Sequence, residues 1–206
     1  MMITVEEARR LYLENDAAHD FDHVLRVLAL AERIGQAEGA DLEIVRAAAL
    51  LHDVARAEEE GSDACHARAG ARHAREILQG HPPQKVEAVA QAIATHRFRE
   101  KSTPQTLEAQ VLYDADKLDA IGAIGVARAY AVSGQTGQRL WAPVPTDYRW
   151  EARGTPEHTA VHEFVFKLSR LKETLFTPTA RAIAEERHRY MVEFFVRLER
   201  EVKGEL

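Results

Sequence analysis

The sequence is poor in cysteine. Cys65 is the only one, so no internal disulfide can form and stability must come from packing, as suits a reducing cytoplasm. Aromatic residues are few, at 7%, while alanine is abundant, which disfavours a sandwich or barrel and favours helices. No run reaches the roughly 18 apolar residues a membrane span needs, so no membrane partner is expected. The opening string M-M-I-T-V-E-E-A-R-R has no apolar core and carries acids early, unlike a secretory leader. Excess positive charge is also lacking. The formal net charge is -6, which excludes broad nucleic-acid binding through a basic surface. A small anion can still bind locally, where a bound cation would dominate the field.

What is present reads at the helical period. The expectation is an all-α helical bundle with C-terminal helices, a single domain over residues 1–206. Val24, Val27, Leu28 and Ala31 share one face, and Gly39 marks the stop. Asp41 can cap a second helix that carries Ile44, Val45, Ala48, Ala49 and Leu51 towards His52. A third helix is expected from about Asp63 to Gln79, and a fourth from Pro83 to about His96. Leu107 to Val132 reads as helical overall, with Gly122 and Gly125 allowing close packing. Two helices finish the chain over 157–203, the last opening at Thr177-Pro178. Before them, Gly134 to Pro156 is irregular and holds both tryptophans, Trp141 and Trp150. Its length suggests an ordered excursion, a lid or a dimer contact, so a homodimer is a candidate assembly.

Chemistry concentrates in a few strings. The dipeptide His-Asp occurs twice, at His19-Asp20 and His52-Asp53, and context separates the two. His52-Asp53 ends the apolar run A-A-A-L-L-H-D-V-A, so both side chains are drawn towards the core. Burying them requires compensation by a metal or a hydrogen-bond network. His23 opens an amphipathic helix in H-D-F-D-H-V-L-R-V, and Asp116 lies in L-Y-D-A-D-K-L-D-A-I. Two histidines and two aspartates form a mixed nitrogen and oxygen set. Such a set suits a divalent first-row metal better than calcium.

Three strings carry a family resemblance: H-x-x-R-V at His23 to Val27, L-L-H-D-V-A at Leu50 to Ala55, and D-A-D-K-L-D-A at Asp114 to Ala120. In this order they resemble the HD-domain metal-dependent phosphohydrolase superfamily. The closest similarity is to stand-alone bacterial and archaeal members, some of which are nucleotide pyrophosphohydrolases. The resemblance covers about residues 19–130 as the HD core, with further likeness in the C-terminal helices. It implies His23, His52, Asp53 and Asp116 as metal ligands. The metal would be manganese first, with iron, cobalt, nickel, zinc and magnesium as alternatives. It also implies attack on phosphorus by a metal-activated water, with Asp53 in the catalytic set. The implied substrate is a phosphorylated small molecule, a nucleotide such as a (deoxy)nucleoside triphosphate. The alternatives are a phosphodiesterase, a phosphatase on another small molecule, or a metal-stabilised regulatory module without turnover.

Further residues carry open alternatives. His66 and His96 lie between the His-Asp pair and Asp116. They are candidates for a second metal, for substrate contact, or for plain helix-end positions. Lys117 can clamp a phosphate or pair with a nearby acid. Asp20 can bond a ligand histidine or a bound water, or cap the helix. Arg26, one turn after His23, is a candidate phosphate contact beside a structural ion pair. Arg97, in H-R-F-R-E-K over His96 to Lys101, belongs to a basic rim or a solvated loop. Arg56 stands where certain relatives carry a Glu-Asp pair, which counts against an alarmone hydrolase. Glu58 to Glu60 read as a solvated turn, and Asp63 is a candidate base. Cys65 reads as a small helix residue. His158, His162 and His188 read as packing or surface residues, with His162 a candidate to face the pocket.

Overall fold

The computed structural model describes residues 1–12, 21–56, 66–97, 103–150 and 155–206, and every regular element among them is helical. None of their helices is long and apolar enough to cross a membrane. Asp20, Glu58 to Glu60, Asp63, Cys65 and positions 98–101 of the basic string lie outside the described residues. The rest sort into two compact units.

The first unit spans Met1–Asp116 with Leu175–Ala180. Helix α1 (Val5–Arg9) opens on a reciprocal cap: Thr4 Oγ1 accepts from the Glu7 amide at 3.2 Å, and Glu7 Oε2 accepts from the Thr4 amide at 2.8 Å. Helix α2 (Phe21–Glu38) buries His23, Val24, Val27, Ala31 and Ile34 along one stripe, the face its periodicity sets. Gly39 then reverses the chain at φ +79°. Helix α3 (Leu42–Leu51) starts at Asp41, whose carboxylate accepts from the amides of Glu43 and Ile44. It is buried almost all round from Ile44 onward, which makes it the central element of this unit. Helices α4 (His66–Ile77) and α5 (Pro83–Thr95) pack on each other and α5 packs on α3. A Cβ at Gly70 would lie 3.3 Å from Ile93 and 3.4 Å from the His52 carbonyl. That glycine therefore lets α4 sit close against the turn that follows α3. Helix α6 (Leu107–Asp119) brings Asp114 and Asp116 into this unit.

The second unit spans Lys117–Thr174 with Arg181–Leu206. Its elements are α7 (Gly122–Gln135), α8 (Ala160–Phe166), a 3₁₀ segment (Leu168–Thr174) and most of α9 (Pro178–Val202). The helical stretch expected from Leu107 to Val132 is divided between α6 and α7. Gly122 sits at φ +80°, and the Arg187 guanidinium donates to the Leu118 carbonyl at the end of α6. Carbons of Arg187 occupy the space a side chain at 122 would need, the nearest 2.9 Å from an ideal Cβ. Gly122→Ala is therefore expected to cost more than the ~1–2 kcal/mol of left-handed backbone strain alone. Gly39→Ala, with a similar φ and nothing within 4 Å, should cost only the strain. Denaturant titration of both variants checks the ordering.

The described part of the excursion is tied down by aromatic contacts. Tyr148 meets His162 and Phe166 with ring centroids 4.5 and 4.9 Å apart, and its hydroxyl bonds His158 at 2.5 Å. His158 and His162 are buried packing residues here, and His188 is half-buried.

Candidate metal centre

Five elements of the first unit deliver side chains to one place. His23 comes from the first turn of α2, and His52 and Asp53 from the residues just past α3. His66 begins α4, His96 follows the last residue of α5, and Asp116 lies on α6. His23, His52, Asp53, His66 and His96 are each no more than 4% exposed, and the Asp116 side chain is half-buried. His66 and His96 do stand at helix ends, but buried rather than half-exposed.

The distances converge. His23 Nε2 and His52 Nε2 are 3.3 Å apart, and each is 3.8 Å from Asp53 Oδ2. Asp116 Oδ1 lies 3.5 Å from His23 Nε2. The other Asp53 oxygen, Oδ1, faces His66 Nε2 at 3.4 Å and His96 Nε2 at 3.7 Å. Two groups follow, His23–His52–Asp53 and Asp53–His66–His96, each with ligand atoms within 4.8 Å of one another. Atoms bound to one ion at about 2.1 Å are separated by roughly 3 to 4 Å. The observed separations fall in that range.

The protonation pattern fits a cation. His52 Nδ1 donates to the Ala49 carbonyl at 2.8 Å, and His96 Nδ1 donates to the Ile93 carbonyl at 2.6 Å. A carbonyl only accepts, so in each ring Nδ1 carries a proton and Nε2 is the nitrogen turned to the centre. Burial pushes the His52 pKa down to about 4, against the pull of the Asp53 charge, so the ring is neutral at physiological pH. Burial opposes ionisation of Asp53, but His52, a hydrogen bond with His96, and Arg56 together hold its carboxyl well below the usual range. Nitrogen lone pairs and carboxylate oxygens thus face one another in a space shielded from water. A divalent first-row ion suits that donor set.

Two contributors are not conspicuous in the sequence. Arg56 places Nη1 3.3 Å from Asp53 Oδ2. Tyr12 bonds the Leu50 carbonyl at 2.9 Å, directly beside the His-Asp pair. Its only sequence signal is an aromatic between Leu11 and Leu13, just past the end of α1. Arg26 and Arg97 are half-buried, each close in sequence to a cluster histidine. Lys117 is half-buried and is the first residue of the second unit. Asp114 and Asp119, beside Asp116 in sequence, serve other partners. Asp114 accepts from the amides of Phe176 and Thr177 and from the Thr177 hydroxyl, and Asp119 pairs with Arg128 at 2.9 Å.

Residues 20–121 match the family model described as the HD domain. The uncharacterised protein YpgQ of Bacillus subtilis (strain 168) is 34% identical over 195 residues, 93% of this chain and 88% of that protein. The crystal structure of Bacillus subtilis YpgQ in complex with ADP has a TM-score of 0.74 at 32% identity, covering 96% of this chain and 92% of that one. A predicted HD superfamily hydrolase from an uncultured Thermotogales bacterium gives a TM-score of 0.68 at 32% identity, over 96% and 90% of the two chains. Ribonuclease Y of Chloroflexus aurantiacus is 34% identical over 96 residues, which is 47% of this chain and 17% of that protein.

Proposed function

The chain belongs to the HD-domain family and is an HD-superfamily hydrolase, and from that premise we propose that it is a metal-dependent phosphohydrolase acting on a nucleotide. The bond cleaved is a phosphoanhydride or phosphoester, with (deoxy)nucleoside triphosphates the first substrates to test. The convergence of His23, His52 and Asp53, with Asp116 Oδ1 3.5 Å from His23 Nε2, supports this reading. The nucleotide part is supported by the ADP complex of the Bacillus subtilis relative. The protein would work in the cytoplasm, in keeping with its single cysteine.

In this scheme His23, His52, Asp53 and Asp116 hold a divalent ion, with manganese the first candidate. When bound, the ion supplies Lewis acidity and makes water a nucleophile near neutral pH. The protein's own groups do the rest. His52 keeps its Nε2 free of a proton through its bond to the Ala49 carbonyl. Asp53 directs one oxygen to each half of the cluster, and Arg56 steadies the first of them. His66 and His96 extend the cluster on the second oxygen, where they serve a second ion or a phosphate oxygen. Arg26 and Arg97 supply positive charge for an anionic substrate, and Asp20 would bond a ligand or water near His23. Lys117 acts as a phosphate clamp. Lys117→Met should raise KM or lower kcat about tenfold, the size of one lost charged hydrogen bond, with metal content unchanged. Unchanged kinetics would reject that role.

A phosphodiesterase is the second reading, favoured by the partial similarity to Ribonuclease Y. The test is a panel of phosphorylated compounds with Mn²⁺, Mg²⁺, Co²⁺ and Ni²⁺ in turn. Pyrophosphate with a nucleoside monophosphate supports the leading reading. A product set from phosphodiesters alone supports the second. No hydrolysis of any compound would refute both.

A further inference from the structure

Adjacent helical residues point about 100° apart. Here the regular helix ends at Leu51 and the chain turns over residues 52–55, and both His52 and Asp53 face His23. Stopping there leaves carbonyls of the last turn without helical amides to accept from. Two side chains take their place. His52 Nδ1 covers the Ala49 carbonyl, and the Tyr12 hydroxyl, 38 residues away in sequence, donates to the Leu50 carbonyl at 2.9 Å. The phenol is itself held. Its ring meets Phe21 edge-on with centroids 5.3 Å apart, the Arg9 guanidinium lies 4.3 Å from the Phe21 ring centre, and Phe21 opens α2 two residues before His23.

We propose that Tyr12 is a positioning residue for the metal centre: its hydroxyl fixes the turn after α3 so that His52 and Asp53 reach the same point as His23. This rests on the reading of those three residues as ligands. It assigns to a residue outside every recognised motif a share in the geometry of the site.

The experiment compares full-length wild-type protein and Tyr12→Phe, both freed of metal with chelator, with Co²⁺ as the probe. Removing the hydroxyl while keeping the ring should weaken Co²⁺ binding about tenfold or more and change the visible absorption of the bound ion. With Co²⁺ supplied, kcat should fall while substrate KM stays within about twofold, because the loss acts through the ligands. Equal Co²⁺ affinity and an identical spectrum in the variant would overturn the proposal, even if its melting temperature fell. A Tyr12→Phe chain that no longer folded would also overturn it, since the hydroxyl would then be a general structural need. Wild-type protein that bound no Co²⁺ would refute the metal-centre reading itself, a distinguishable failure.

Discussion

Asp53→Ala is expected to lower hydrolysis on the order of 10³-fold or more and to remove tight binding of divalent metal. Among the described residues, Asp53 is the one side chain that faces all four buried histidines of the cluster. Oδ2 lies 3.8 Å from both His23 and His52, and Oδ1 lies 3.4 and 3.7 Å from His66 and His96. A bound ion contributes several kcal/mol of transition-state stabilisation, and a loss of about 4 kcal/mol is a factor of roughly 10³ in rate. Folding should not suffer in parallel. In the metal-free protein the substitution also removes the desolvation cost of a buried carboxylate, and the Arg56 guanidinium it leaves behind is exposed enough to be solvated. Thermal melts of the metal-free variant should therefore stay within a few degrees of wild type while its rate collapses. Steady-state rates with Mn²⁺, a calorimetric metal titration and a melt of the metal-free protein together check this. A variant that kept a tenth of wild-type activity would contradict the role given to Asp53.

Asp114→Ala should act in the opposite way, costing stability and sparing the metal. Asp114 is fully buried and accepts three hydrogen bonds: from the Phe176 amide at 2.9 Å, and from the Thr177 amide and hydroxyl, each at 2.7 Å. Thr177 in turn accepts from the Ala180 amide and so caps α9. One carboxylate thus ties the start of the last helix to the element that carries Asp116. Alanine leaves two amides and a hydroxyl without that acceptor, and each orphaned buried donor costs about 1–3 kcal/mol. A total of about 3 kcal/mol corresponds to a fall in melting temperature of roughly 6–12 °C for a chain of this length. Asp114→Asn keeps one acceptor oxygen but turns its amide group towards the donors, so it should fall between alanine and wild type. A shift below about 2 °C for the alanine variant would show that other contacts hold the C-terminal segment.

The sequence revealed the helical architecture and the location of the cluster for physical reasons. The apolar run before His52-Asp53 forces both side chains inward, and burial of that kind requires partners. The period of Val24, Val27 and Ala31 fixes the buried face of α2 on which His23 lies. Spacing alone does not separate the roles of neighbouring acids, and it is the family resemblance that singles out Asp116. Asp114, Asp116 and Asp119 look alike in D-A-D-K-L-D, yet helical geometry sends them in different directions, to Thr177, to His23 and to Arg128. Tyr12 was invisible because its partner is a main-chain carbonyl distant in sequence, and no pattern of side chains announces such a bond. The break before Gly122 within the helical stretch expected from Leu107 to Val132 is likewise hidden in the sequence. Apolar periodicity runs through it, and the deciding contact comes from Arg187, 65 positions later.

Re-addition of metal to chelated protein tests the central claim most directly. Hydrolysis of a deoxynucleoside triphosphate is measured while Mn²⁺ is titrated into metal-free wild-type protein, with products followed by phosphorus NMR. The expected result is no turnover before metal, saturable recovery as Mn²⁺ is added, and release of pyrophosphate. Turnover that continues undiminished in excess chelator, or fails to appear with Mn²⁺, Co²⁺, Ni²⁺ or Mg²⁺, would contradict a metal-dependent nucleotide hydrolase built on His23, His52, Asp53 and Asp116.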